Sequence, residues 1–391
     1  MPMKTGEKSL KRSAGLQWLE IDRSAFVHNI RQFRRLIGQR KKLLAVVKAN
    51  AYGHGIREVS KIVLAAGADW LGVNSIEEGI FLREEGIAAP ILVLGAVGLH
   101  DLEKALVYDL RLTVYNRQTV ERLAAAARKL HKTAYLHVKV ETGTNRQGVR
   151  ADELLNFIRK IAGHPGLVVE GISSHFANIE DTTSHTYPRY QLKNFLAVLD
   201  RLRSSKIPVP IKHMSCTASS ILFPETYFDM IRVGIGLYGL WPSKETFLSC
   251  RLQKRKPLVL RPVLSWKAKI VQIKRVPKGS FIGYGCTYRT TRASRVAVIP
   301  VGYYDGYPRS LSNASYVLVN GRRAAVRGRV AMDFIMADIT DIPGLRLEDE
   351  VTLIGKDGRE AISTEYLASL AGTISYEILA RLNPQIPRVV V

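Results

Sequence analysis

Disulfide bonds are not expected to stabilise this protein. Its 391 residues contain only three cysteines, Cys216, Cys250 and Cys286. The number is odd and the spacing fits no metal motif, so no metal site is expected. They read as reduced thiols of a cytoplasmic protein. No apolar run is long enough to span a bilayer, so no membrane partner is expected. The start of the chain is polar and basic without an apolar segment, which excludes a secretory signal and predicts a flexible basic extension over residues 1–15. There is no repeat of fixed period and no low-complexity tract. Acidic residues are also scarce: 34 Asp and Glu face 58 Lys and Arg, a net charge of +24. Such an excess suits a polyanion. However, no nucleic-acid-binding module accompanies it, and the basic residues are dispersed except for a cluster at Arg251, Lys254, Lys256 and Arg261. A basic, solvated surface without a nucleic-acid partner is expected.

What the chain has is a regular alternation of apolar runs and amphipathic stretches. Strand-like runs fall at 43–47, 70–73, 91–94, 111–114, 135–140, 167–172, 211–214 and 231–235. Helical patterns lie between most of them, at 56–66, 116–131, 151–162 and 189–202, and a further one at 24–37 precedes the first strand and is placed to close a ring. Strands alternating with helices predict a parallel sheet. Eight such units in roughly 220 residues predict a (β/α)8 TIM-like barrel. The barrel is assigned to residues 16–250, with the strand-like 18–21 ahead of it and available to pair with it. The basic stretch from Trp241 to Pro262 reads as a linker. Residues 251–391 change texture: β-branched runs at 264–273, 296–301, 315–319, 324–329, 334–339 and 350–354 predict a mostly β domain. Asn320-Gly321 marks a hairpin, and helix is confined to 364–371 and 375–381.

The best-marked segment runs from Ala45 to Gly55, Ala-Val-Val-Lys48-Ala-Asn-Ala-Tyr52-Gly53-His54-Gly55. An apolar strand ends in a lysine, a tyrosine and two glycines follow, and a helix begins. Catalytic groups of a barrel sit at the C-terminal strand ends. A desolvated lysine there loses its proton readily and can attack a carbonyl. A lysine that snorkels at the barrel rim fits the same spacing.

The run Val47–Gly55 closely resembles the cofactor-lysine signature of alanine racemases. These are fold-type III pyridoxal-phosphate enzymes built from a barrel and a β domain. The resemblance extends from about Trp18 to Arg388 through several separated motifs. It implies pyridoxal 5'-phosphate as cofactor and Lys48 as its lysine. Thr142-Gly-Thr-Asn-Arg146-Gln-Gly148 is similar to the family's Thr-Gly-Met-Gly-Arg segment, departing at Asn145 and Gln147. Arg146 then stands near the cofactor's phenolic oxygen and the substrate carboxylate, a task suited to a planar fixed charge. Lys139 matches a lysine that many relatives carry as a carbamate, an anion that would hold Arg146. His175 matches the histidine that stacks on the pyridine ring.

By the same resemblance Thr217, Gly234 and Ile235, with the hydroxyls of Tyr52 and Tyr376, contact the phosphate. Arg232 faces the pyridine nitrogen. Most pyridoxal enzymes place a carboxylate there, but an arginine only donates and stays charged. The ring is then a weaker electron sink, which leaves proton exchange between two bases as the favoured chemistry. Cys216 stands where asparagine is usual, and a thiol there predicts sensitivity to thiol reagents. Gly283-Tyr284-Gly-Cys-Thr-Tyr288 resembles the catalytic-tyrosine motif. The resemblance implies that Tyr284 reaches the partner subunit's site in a homodimer, that from the same side the Met332 backbone N–H meets the substrate carboxylate, and that Tyr303 lines the entrance from the partner side. The implied reaction is a two-base interconversion of L- and D-alanine, supplying D-alanine for peptidoglycan. A broader amino-acid racemase, acting for example on serine, remains open. A decarboxylase of the same fold needs an acid where Arg232 stands. A pyridoxal-phosphate carrier would be a lone barrel. A polyanion-binding protein would show a salt-dependent DNA shift.

Overall fold

The computed structural model describes residues 15–254 and 257–391. Residues 1–14 of the expected extension, and Lys256 of the basic cluster, lie outside the described residues. The chain divides into two compact units. One comprises residues 24–49 and 56–262. The other comprises the described residues before Ser24, residues 50–55 and residues 263–391. The division falls at Pro262, later than the expected 250.

After β1 (Gln17–Ile21), the first unit carries eight strands: β2 (Lys42–Val46), β3 (Trp70–Val73), β4 (Ile91–Val93), β5 (Arg111–Val114), β6 (Ala134–Lys139), β7 (Leu167–Ser173), β8 (Ile211–His213) and β9 (Met230–Val233). They pair in parallel in the order β8-β7-β6-β5-β4-β3-β2-β9. The seam between β8 and β9 has no ladder, but Asp229 N–H donates to Lys212 O (3.0 Å) and Arg232 N–H to Ser215 O (3.3 Å). The ring is therefore nearly closed, and the fold is the expected barrel. Its strands are short and apolar because both faces are covered: all four residues of β3 and of β9 are buried. Helices cover the outside. Arg117–Leu130 shows why they form. Val120, Leu123, Ala124 and Ala127 recur at helical spacing and are buried, and the Asn116 side chain accepts the Thr119 N–H at the start. Burying one such leucine contributes about 2 kcal/mol. Helix Arg23–Ile37 packs at the exit of β9, where Asn29 Nδ2 donates to Leu237 O (3.0 Å) and Arg261 O (2.8 Å).

Two expectations need correction. The stretch read as a linker holds a helix, Lys244–Leu252, because Ser243 caps it by accepting the Thr246 N–H; the basic composition hid this signal. And β1 does not pair with the barrel. It pairs antiparallel with β10 (Leu264–Lys269) and parallel with the last strand. Such long-range pairing leaves no mark in the local pattern.

The second unit continues with β11 (Gln272–Val276), β12 (Ser294–Ile299), β13 (Tyr316–Val319), β14 (Arg322–Val326), β15 (Ile335–Asp338), β16 (Glu350–Asp357), β17 (Glu360–Ile362) and β18 (Arg388–Val390). The sheet order is β11-β12-β15-β14-β13-β16-β10-β1-β18, with β17 beside β16. Asn320 and Gly321 both take positive φ, 49° and 69°, as the β13–β14 hairpin requires. Helices Thr364–Ala371 and Ser375–Ala380 precede β18. Among the described residues no helix is long and apolar enough to cross a membrane.

Candidate active site

Lys48 begins a helical turn of the wrong hand. After β2, Ala49, Asn50, Ala51 and Tyr52 all take φ between 51° and 54°. Left-handed backbone of this kind is unfavourable by about 1–2 kcal/mol per residue. Local bonds hold the turn: Gly55 N–H donates to Asn50 O and His54 N–H to Ala51 O, both at 3.0 Å. Strain of this kind clusters at functional sites.

Around Lys48 lies a cavity of about 310 Å³ in the first unit. Lys139, Arg146, His175 and Arg232 share its wall with Gln147 and His213, and none of its lining residues is Asp or Glu. The structure thus brings together five residues that the sequence had placed on four different strand ends. Glu141 is near but engaged. Its carboxylate accepts the Gly143 and Thr144 N–H groups (2.5 and 2.6 Å). Burial pushes its pKa up, but four backbone N–H groups outweigh that and hold it below the usual carboxylate range. This tie shapes the loop that carries Arg146. Thr142 Oγ1 and Ser174 Oγ, 2.7 Å apart, join that loop to the one after β7.

The electrostatics make the Lys48 amine easier to deprotonate. Burial lowers the Lys48 pKa, Arg146 lowers it further, and Glu78 opposes. Arg232 is buried and Nη1 donates to His213 Nδ1 (2.7 Å), while Nη2 donates to Ser174 O (2.8 Å) and Met214 O (3.1 Å) and lies 3.4 Å from His175 Nδ1. Burial pulls its pKa down to about 10, so it remains charged at neutral pH. Burial, then Arg232, hold His175 well below the histidine range and therefore neutral. Just past β9, the Gly234 and Gly236 N–H groups converge on Thr217 Oγ1 at 3.2 and 3.5 Å, beside the buried Ile235.

Chains with known relatives decide what this site belongs to. The alanine racemase N-terminal domain model matches residues 21–242, and the C-terminal domain model residues 263–390. The chain belongs to the alanine racemase family. The alanine racemase of Halothermothrix orenii is 43% identical over 379 residues, covering 97% of each chain. The Bacillus anthracis alanine racemase, solved with bound L-Ala-P, is 36% identical with a TM-score of 0.88, covering 96% of this chain and 95% of that one. A histidine racemase from Leuconostoc mesenteroides is 28% identical with a TM-score of 0.87, covering 96% and 98%.

The remaining residues implied by the alanine racemase resemblance lie in the second unit. Tyr52 and Tyr376 meet there, with ring centroids 6.1 Å apart. Tyr284 is 74% exposed and Met332 53%, with Tyr303 also on the surface. The departures from the family pattern now have local partners. Gln147 Oε1 accepts from Lys139 Nζ (3.1 Å), and its Nε2 donates to Tyr115 Oη (3.1 Å). At Cys216 burial pushes the thiol pKa up, and Ser219 Oγ donates to Sγ at 3.5 Å; both lower its thiolate fraction and so weigh against the expected sensitivity to thiol reagents. Sequence reading missed Glu141, His213 and its neighbours. An acidic residue heading a Gly- and Thr-rich loop was the available signal for Glu141.

Lys139 gives a pH test. Burial, then Arg146 and Arg232, push its pKa down to about 8 from 10.5. Between these values the unfolded chain binds the extra proton, so this residue's contribution to stability rises with pH across that window. In CO2-free buffer, the melting temperature of wild type relative to Lys139→Met is expected to climb from pH 7.5 to pH 10. A flat difference would mean that the amine is not desolvated.

Proposed function

We propose that this chain is an alanine racemase that interconverts L- and D-alanine with pyridoxal phosphate held at Lys48. One observation carries the reading: Lys48, Arg146 and Arg232 converge on one cavity whose lining holds no Asp or Glu. Positive charge around a cavity without a matching carboxylate calls for an anionic ligand. A lysine whose pKa burial lowers, standing among those cations, suits attack on a carbonyl. A phosphorylated aldehyde satisfies both; the Gly234 and Ile235 N–H groups and the Thr217 hydroxyl would hold its phosphate, with the hydroxyls of Tyr52 and Tyr376. When bound, this group draws electrons from the bond between Cα and its hydrogen, so that the α-proton can leave.

The chain's own residues do the rest. Arg146 and the Met332 N–H of a second copy hold the substrate carboxylate. His175 would flank the cofactor's pyridine ring, and Arg232 would offer the pyridine nitrogen a hydrogen bond while keeping its own proton. Lys48 moves a proton at one face of Cα and Tyr284 at the other, because inversion requires removal and delivery on opposite sides. Tyr284, largely exposed on its own unit, serves the site of a second copy, which makes a homodimer the active unit. Lys139 is carried as a carbamate that steadies Arg146. The enzyme works in the cytoplasm and supplies D-alanine for peptidoglycan.

A chiral assay of the purified chain with a panel of L-amino acids, with and without added pyridoxal phosphate, tests this. L-alanine is expected to reach equal amounts of both isomers only with the cofactor. Serine turned over as fast as alanine would favour the broader racemase. No racemisation of any amino acid in the presence of cofactor would end the proposal.

A further inference from the structure

Arg232 is the first member of a buried chain. Its Nη1 donates to His213 Nδ1 (2.7 Å). His213 Nε2 lies 2.7 Å from His137 Nδ1, and His137 Nε2 lies 3.2 Å from Glu170 Oε2. The four side chains come from β9, β8, β6 and β7. The two histidines are 1% and 0% exposed.

A donor-only guanidinium at one end and an acceptor-only carboxylate at the other agree on one proton order along this chain. A guanidinium only donates, so His213 Nδ1 is bare and its proton sits on Nε2. That N–H donates to His137 Nδ1, which is therefore bare as well. The His137 proton then sits on Nε2 and points at a carboxylate, which only accepts. The scheme requires two neutral imidazoles. Burial, then the charge of Arg232, hold His213 well below the histidine range; burial lowers His137 too, against the pull of Glu170.

The backbone is built around this chain. Between β6 and β7 the register shifts: Leu136 faces Val169 and His137 faces Gly171. Glu170 is thus the extra residue of a bulge, a device that re-aims a side chain. A Cβ at Gly171 would lie 2.3 Å from His137 Nδ1, so only glycine leaves room for that ring. Trp70 packs edge-on against His137 with centroids 5.6 Å apart. Arg111 Nε lies 3.7 Å from Glu170 Oε2.

We propose that Glu170 and His137 are positioning residues for Arg232, the carboxylate fixing one proton order along both imidazoles so that His213 always offers the arginine an acceptor. Without Glu170 the order can reverse. His213 would then carry its proton on Nδ1, two donors would face each other at Arg232, and the guanidinium would leave its place on the cavity wall. The consequence for activity rests on the reading of Arg232 as the pyridine-facing donor; the proton order does not.

The first measurement is neutron diffraction from deuterated crystals of the wild-type enzyme. Deuterium is expected on Nε2 alone in both His213 and His137. Deuterium on His213 Nδ1, or on both nitrogens of either ring, overturns the proposal whether or not the chain proves to be a racemase. The second compares Glu170→Leu with Glu170→Gln, which keeps an acceptor oxygen. Loss of a hydrogen bond to a charged group predicts a fall in kcat of about tenfold or more for leucine, together with a shifted absorption maximum of the bound cofactor. Glutamine is expected to retain both properties. A folded leucine variant with unchanged kcat and spectrum overturns the positioning role. Should leucine prevent folding, the proton positions in wild type and in Glu170→Gln decide.

Discussion

In the Lys48→Ala variant, racemisation of alanine falls to background and the protein no longer takes on the visible absorbance of bound pyridoxal phosphate, while it remains folded. Two losses combine. General acid–base help from one side chain is worth about 10²–10⁴-fold, and the amine that would bind the cofactor covalently is gone as well. Folding survives for a physical reason. Burial, with Arg146, lowers the Lys48 pKa, so its protonated form is less favoured in the folded chain than in the unfolded one. Alanine removes that charge, and the melting temperature is expected to hold or to rise slightly. The strain in residues 49–52 is backbone strain and does not depend on the lysine side chain. A small exogenous amine should partly restore turnover by occupying the vacated space. Activity in Lys48→Ala above a tenth of wild type, measured by chiral chromatography, would place the essential amine elsewhere.

How far the sequence led depends on the range of the interaction being read. β3 and β5 were legible to the residue, because short continuous apolar runs bounded by polar turns have few other readings. The Asn320-Gly321 hairpin was equally plain. The partner of β1 was not, since pairing with β10 and β18 joins segments hundreds of positions apart. The family motifs identified Lys48, Arg146, His175 and Arg232, but could not show that their cavity wall lacks carboxylates. His137 illustrates the limit best. A single histidine inside an apolar strand reads as a core residue. Its meaning comes from a bulge at Glu170 and a missing side chain at Gly171, both properties of the β6–β7 ladder and neither a motif. Gln147 looked like a deviation from a pattern, and became informative only with Lys139 Nζ at 3.1 Å.

Tyr284→Phe is the complementary experiment, and its outcome is constrained by symmetry. L- and D-alanine have equal free energies, so kcat/KM must fall by the same factor in both directions. That factor is expected to be about 10²–10⁴ if the hydroxyl carries the proton. The asymmetry should appear in proton exchange. In D2O the variant should still exchange the α-hydrogen of D-alanine, because Lys48 removes it, but should scarcely exchange that of L-alanine. Equal and small losses for both isomers would remove Tyr284 from the mechanism. Which copy of the chain it serves is decided by mixing. Co-expression of Lys48→Ala with Tyr284→Phe produces mixed dimers. If the tyrosine crosses to the partner's site, each mixed dimer regains one intact site, and an equal mixture of chains recovers about a quarter of wild-type activity. If Tyr284 serves its own chain, every site in the mixture lacks one base and nothing is recovered. With 74% of this tyrosine exposed on its own unit, recovery is the expected result.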